Sequence, residues 1–220
     1  MYLRTREIAC KKNGPLKGIY GTKDGTPIDI AIEDYLKLAP SVEVVIQSII
    51  TVIGRRNHIF DPDHFEIDLS ETNLQKVSMC DGRFDHVNLR DADLTGSRIH
   101  NASLRGANLC ESILIGSSIR DVNFDHSFFF YTQFQGASIN DTYFANTILS
   151  ALNIMSTSVT DSQFINCQIH SWSFNNETDV SGTNFKTSIG IPCGLPSIVQ
   201  GASTATWSDD DLDAWDRGEE

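Results

Sequence analysis

Arg90-Asp-Ala-Asp-Leu-Thr-Gly-Ser-Arg-Ile-His-Asn-Ala-Ser-Leu-Arg-Gly-Ala-Asn-Leu109 divides into four blocks of five residues, each ending on Leu or Ile with Ala or Ser two places earlier. Positions i and i−2 share one face of an extended chain. The three remaining positions of each block are polar or glycine, so a block has one apolar face and a solvated remainder. An amphipathic helix would instead repeat its apolar positions every three to four residues.

The frame extends in both directions from this stretch. From Phe65-Glu-Ile-Asp-Leu69 to His170-Ser-Trp-Ser-Phe174 it runs for 22 consecutive blocks without a slip, and all 22 terminal residues are Leu, Ile, Val, Met or Phe. One inserted residue near Asn175–Asp179 shifts the frame, and Val180 and Phe185 resume it. The position two before each terminal residue is usually small or β-branched, as at Thr72, Val77, Ala92, Ala102, Ala107, Val122, Ala137, Thr142, Thr147 and Thr157.

Arg90-Asp-Ala-Asp-Leu94 and Arg105-Gly-Ala-Asn-Leu109 closely resemble the Ala-(Asp/Asn)-Leu-X-X consensus of the pentapeptide-repeat family. The resemblance covers a little over half of the chain. It implies a mainly β fold, a right-handed quadrilateral β-helix with four blocks to a coil. Residues 20 apart then stack. Leu69, Leu89, Leu109, Phe129, Leu149 and Ile169 form one inner column, and Leu74, Leu94, Leu114, Phe134, Ile154 and Phe174 the next. Met79, Ile99, Ile119, Ile139 and Val159 form the third, and Phe84, Leu104, Phe124, Phe144 and Phe164 the fourth. At about 4.8 Å per coil, five and a half coils make a rod on the order of 26 Å long.

A solenoid has two open ends that need covering. Ahead of the repeats, Ile28 to Leu38 reads as a short helix ended by Pro40. Ser41 then fits an N-cap, with Val42, Val45, Ile46, Ile49 and Ile53 on one helical face and Gly54 as the stop. This helix is expected to cap the N-terminal end. The helix leading to Gly54-Arg55-Arg56 also resembles bacterial family members with a helical segment at that place. At the other end, Cys193 to Pro196 and a short helix near Ser208–Trp215 are the candidates, with Trp207, Leu212 and Trp215 as a docking face. Three segments follow: 1–64, an N-terminal arm and helical cap; 65–189, the β-helix; and 190–220, an acidic C-terminal extension.

The net charge is −12, shared as +1 over residues 1–64, −7 over 65–189 and −6 over 190–220. That balance argues against direct nucleic-acid binding, which needs a basic surface. The five cysteines are odd in number and widely spaced, which indicates neither a disulfide framework nor a zinc motif and suits a cytoplasmic setting. The most apolar run, Val42 to Ile53, is too short to span a membrane as a helix.

A packed interior leaves no concavity for catalysis, so a non-enzymatic protein with no cofactor and no resident metal is expected. His86 and His126 fall in one column but two coils apart, too far to share a metal. His58 and His64 flank Asp61 and Asp63, which reads as a solvated turn.

Two outward features remain. Asp81, Asn101, Asp121, Asp141 and Asp161 stack at one corner, and Asp85 and Asp125 lie four residues further round. Tight-turn chemistry accounts for most of this ladder, because Asp, Asn and Gly tolerate left-handed backbone geometry. The family resemblance offers another reading: some members mimic a DNA duplex, bind DNA gyrase in its place and protect it from a toxin or drug. Arg83, Arg98, Arg105 and Arg120 interrupt the acidic surface here. The second feature is an apolar patch of Phe128, Phe130, Tyr131 and Ile148, with Cys110 beneath Phe130. Contiguous exposed aromatics mark a contact surface, for a protein partner or for a homodimer.

Overall fold

The computed structural model describes residues 44–57, 59, 61, 65–190, 195 and 199–207. Among the described residues, one helix, α1 (Val44–Arg55), precedes a coil built from short strands and bridges. The strands are β1 (Arg98–His100), β2 (Ser118–Arg120), β3 (Phe128–Phe130), β4 (Ser138–Asn140), β5 (Tyr143–Ala145), β6 (Ile148–Ser150), β7 (Ser158–Thr160), β8 (Gln163–Ile165) and β9 (Gln168–His170). All pair in parallel, in the order β1-β2-β4-β7, β3-β6-β9 and β5-β8. Isolated parallel bridges extend these sheets and supply a further side that has no named strand.

The result is a four-sided β-helix. Side one is the ladder Asp68, Asn88, Asn108, Phe128, Ile148, Gln168, Ile189. Side two runs through Asn73, Asp93, Ile113, Gln133, Asn153 and Ser173, and side three from Ser78 through Arg98, Ser118, Ser138 and Ser158 to Asp179. Side four runs from Arg83 through Ser103, Asn123, Tyr143 and Gln163 to Asn184. The step is 20 residues until the insertion, after which Ser158 bridges Asp179 and Gln168 bridges Ile189, a step of 21. The ladders continue past residue 189, where Asp179 bridges Gln200 and Asn184 bridges Thr206. Residues 200 and 206, which fall in the C-terminal extension by sequence, therefore carry further rungs.

The expected inward columns are the core. Leu89, Leu109, Leu94, Ile99, Leu104, Phe124 and Phe129 are fully buried. The fourth column is an aromatic stack: ring centroids are 5.2 Å apart for Phe124–Phe144, 4.6 Å for Phe144–Phe164 and 4.8 Å for Phe164–Phe185. Trp207 closes it, 5.2 Å from Phe185 with the rings 6° from parallel. Leu212 and Trp215 lie outside the described residues, as do Ser208 and Cys193.

At several of the small positions two before a column residue the side chain has a polar task as well as a steric one. Thr132 Oγ1 donates to Leu109 O at 2.9 Å, Ser127 Oγ to Leu104 O at 2.8 Å and Thr157 Oγ1 to Phe134 O at 2.7 Å. Each hydroxyl thus satisfies itself on the carbonyl of the coil below, which removes the penalty of burying it. Trp172 occupies one of these slots, and its indole N–H donates to Leu149 O at 3.1 Å.

Helix α1 covers the N-terminal edge, but not with the whole face that periodicity selects. Ile50 is 1% exposed, whereas Val45 is 57% exposed, and the packed face is Ile46, Ile50, Ile53 and Gly54. The helix is rotated because Gln47 must also face the edge. Its amide Nε2 donates to Ser78 O and its Oε1 accepts from Ser78 N, both at 2.8 Å. The side-chain amide pairs with the first rung of side three as a strand would. Gly54 O also accepts from Arg83 N at 2.9 Å on side four. Ser41 and Val42, and the segment from Ile28 to Leu38, lie outside the described residues.

Candidate functional site

From Glu71 to Ser171, every coil corner bends through a residue with positive φ. On the corner between sides three and four these are Asp81 (54°), Asn101 (50°), Asp121 (53°), Asp141 (49°) and Asp161 (51°). The other corners adopt the same geometry with other residues, such as Glu71, Lys76, His86, Tyr131 and Gly116. The ladder positions are therefore the turn positions that the sequence suggests, and the acidic residues have a local reason to be there. Asn101 Nδ2 also donates to Asp81 Oδ1 at 2.7 Å, linking successive rungs.

This assigns a testable cost. Asp141→Gly is expected to change stability by less than about 0.5 kcal/mol, because glycine adopts φ near 50° freely. Asp141→Val is expected to cost about 1–2 kcal/mol, the left-handed penalty of a side chain with no local hydrogen bond to offer. Urea midpoints of the two variants measure the difference, and equal midpoints would remove turn geometry as the reason for the ladder.

Asp85 and Asp125 stand on side four and are already engaged. Asp85 accepts from Ser103 Oγ and from Arg105 N, the latter at 3.1 Å. Asp125 accepts from Arg105 Nη2 at 3.0 Å and Asn146 Nδ2 at 3.1 Å. Burial alone would raise the Asp125 pKa, but these hydrogen bonds and the nearby cation outweigh it and hold the carboxyl below its ordinary value.

The aromatic patch lies on side one. Phe128, Phe130, Tyr131 and Ile148 are 47%, 44%, 54% and 40% exposed. Phe129, between the first two, is fully buried, so strand alternation puts Phe128 and Phe130 outward together. Phe128 is paired with Ile148 on the next rung, and Tyr131 takes the corner at φ 55° with its ring 4.4 Å from that of Phe130. Cys110 stands one coil below Phe130, half-buried, with its thiol pKa pushed up by burial. Ile189, two rungs above Ile148, is exposed on the same side. The sequence reading did not include it, because the insertion displaces it from the 20-residue step.

The patch and the acidic corner do not form one surface. Tyr131 marks the corner between sides one and two, and the Asp81–Asp161 column the corner between sides three and four, diagonally across the rod. Asp85 and Asp125 lie on side four, adjacent to side one.

Among the described residues, no three His, Cys, Asp or Glu side chains converge as a metal site. His86 and His126 each occupy a turn position on one corner, with Gly106 between them. Asp61 is ion-paired with Arg56 at 3.0 Å, while His58, Asp63 and His64 lie outside the described residues. No described helix is long and apolar enough to cross a membrane. Cys80, Cys110 and Cys167 are free thiols.

A search of curated proteins by sequence gives no match. Among solved structures, the chain is similar to a trypsin-treated form of QnrB1, a plasmid-mediated fluoroquinolone resistance protein, at 13% identity over 70% of this chain and 87% of that one, with a TM-score of 0.45. It is also similar to HetL of the cyanobacterium Nostoc sp., a pentapeptide repeat protein involved in heterocyst differentiation regulation, at 15% identity over 76% and 92% of the two chains, with a TM-score of 0.42. The sequence pattern of pentapeptide repeats matches residues 66–101 and 92–129, in eight copies. That match covers residues 66–129, and the same five-residue frame carries the coil onward through Phe174, so this stretch of the chain is built of pentapeptide repeats.

Proposed function

We propose that the chain is a non-enzymatic scaffold that presents side one of its β-helix, through Phe128, Phe130, Tyr131 and Ile148, to a protein partner. The observation that carries this is the exposure of four large apolar side chains on two adjacent rungs of one flat side. The lower rungs of that side hold Asp68, Asn88 and Asn108 in the position of Phe128 and Ile148. Turn chemistry explains the corners, but nothing in the coil requires aromatic residues in the outward positions of Phe128 and Phe130. Rigid aromatics supply large contact areas at low entropic cost, as binding surfaces do. The cytoplasm is the setting we propose, on the free thiols and the absence of a disulfide pattern.

Phe128→Ser/Phe130→Ser tests this surface. Both side chains leave solvent-facing positions, so the urea midpoint is expected to move little, by less than about 0.5 kcal/mol. Sedimentation of the two proteins tests the homodimer form of the reading, and quantitative co-purification from cells tests a heterologous partner. Both measurements unchanged by the double substitution would remove side one as the contact.

The other reading is a DNA mimic that binds DNA gyrase or another topoisomerase and protects it from a toxin or drug. Regular carboxylates on a rod support it through electrostatic complementarity. It is the weaker reading, because the corner geometry already accounts for the ladder and Arg105 neutralises Asp125 beside it. A gyrase supercoiling assay separates the two. No effect of the purified protein, with and without a gyrase poison, would exclude the mimic.

A further inference from the structure

The geometry points to a specific occupant of side one: a basic amphipathic helix lying along the solenoid axis. It would set its apolar residues on the aromatic rungs and its lysines or arginines along the acidic rungs below. This inference rests on the proposed contact at Phe128, Phe130, Tyr131 and Ile148, and adds the chemistry of what binds there.

Side one changes character along its length. The corner column reads Glu71, Asp91, Glu111 and then Tyr131, all four at φ between 55° and 60°. The aromatic corner is thus continuous with three carboxylates on the rungs directly beneath it. Arg90 is the one cation among residues 88–91 and 108–111, against Asp91 and Glu111. It lies 2.5 Å from Glu111 and 3.6 Å from Asp91, and all three side chains are well exposed. One cation beside two carboxylates leaves negative charge on this stretch. A partner that covers the aromatic rungs and continues downward meets that charge without leaving the side.

The spacing favours a helix parallel to the rod. Rungs are about 4.8 Å apart, and a helix rises about 5.4 Å per turn. Successive turns of a docked helix, at i, i+3 or i+4 and i+7, therefore meet successive rungs. The mismatch accumulates to only about 2 Å over three turns. The apolar positions would lie at one end of the helix face and the cationic positions at the other. A second copy of this chain is a poorer occupant. Its own side one carries no cationic column to set against Glu71, Asp91 and Glu111. Laid antiparallel, it would offer Gln168, His170 and Ser171, one imidazole rather than a cationic column.

The test uses the full chain and a fluorescent helix-forming peptide of about 18 residues, five turns, whose docking face carries leucines along one half and lysines along the other, with neutral polar residues elsewhere. A matched peptide carries glutamate in place of lysine. Binding is followed by anisotropy. The lysine peptide is expected to bind, and to weaken about tenfold with Phe128→Ser/Phe130→Ser and again with Asp91→Asn/Glu111→Gln. Arg90→Gln is expected to tighten it several-fold, because it releases both carboxylates. Asp121→Asn/Asp141→Asn, on the diagonally opposite corner, is expected to change it by less than about twofold. Equal loss from that last variant would show diffuse charge attraction and overturn the inference. Binding of the glutamate peptide that is lost with Phe128→Ser/Phe130→Ser would also overturn it, yet leave the aromatic contact standing. Self-association abolished by the same substitutions, with no lysine-peptide binding, would give the site to a second copy. Neither peptide responding to the aromatic substitutions, with sedimentation unchanged, would count against both the occupant and the surface.

Discussion

Replacing Phe144 by alanine is expected to lower the unfolding free energy by about 3–5 kcal/mol, the range for truncating a buried aromatic. Phe144 is 2% exposed and lies within the fourth column, stacked on Phe124 at 5.2 Å and on Phe164 at 4.6 Å. Each flanking ring belongs to a different coil, so the void opens between coils rather than at an end where the chain can settle into it. Phe144→Leu is a sharper probe. Leucine already fills this column at Leu104, so the packing can accommodate the shape, and the loss should be confined to the two ring contacts, about 1–3 kcal/mol. Urea unfolding followed by far-ultraviolet circular dichroism reads both. A cost below about 1 kcal/mol for Phe144→Ala would mean that the coils do not share one core through this column.

That column also shows how far the sequence could be read. Phe84, Leu104, Phe124, Phe144 and Phe164 fall 20 apart, so arithmetic alone stacks them. Phe185 and Trp207 belong to the same stack but come 21 and 22 residues later. An insertion changes the spacing without changing the side chain required, so the frame recovers Phe185 after a one-residue shift, whereas Trp207 falls outside it and is kept by the packing. The hydroxyls of Thr147 and Thr157 were visible as small or β-branched positions, yet their hydrogen bonds to carbonyls of the coil below depend on three-dimensional proximity. The helix face was misplaced for a related reason. Periodicity weighs Val45 as an apolar residue to be buried, and it cannot weigh the free N–H and C=O of Ser78, which Gln47 turns inward to meet. At the candidate site the legible part was the exception to the rule. Once the block assigns Phe129 inward, Phe128 and Phe130 must face out. Ile189 required the coil's true register, because it follows the insertion.

The N-terminal cap is where a single methyl-sized change should matter most. A Cβ on Gly54 would stand 2.6 Å from Cζ of Phe84, and one on Gly82 would stand 2.4 Å from Cε2 of the same ring. The two glycines form a slot that admits the first ring of the fourth column directly against the helix backbone. Gly54→Val fills that slot with a β-branched side chain. It is expected to cost about 3 kcal/mol, the upper end of the overpacking range, because neither backbone can recede without breaking a bond. The bonds at risk are Arg83 N to Gly54 O, 2.9 Å, and the paired bonds of Gln47 with Ser78. Loss of the helix would uncover the first rungs, and an open parallel edge recruits other chains. The variant should therefore aggregate as well as unfold earlier. Gln47→Leu tests the edge pairing separately. It keeps the helix surface apolar but leaves Ser78 N–H and C=O without partners, at a cost of about 2 kcal/mol. Steric blame can be checked by a double substitution. Gly54→Val/Phe84→Leu shortens the ring to the side chain found one coil above, at Leu104, and should recover at least half of the Gly54→Val loss. If the two costs simply add, the clash at Phe84 is not the cause, and the cap is held by its hydrogen bonds to Ser78 and Arg83 alone.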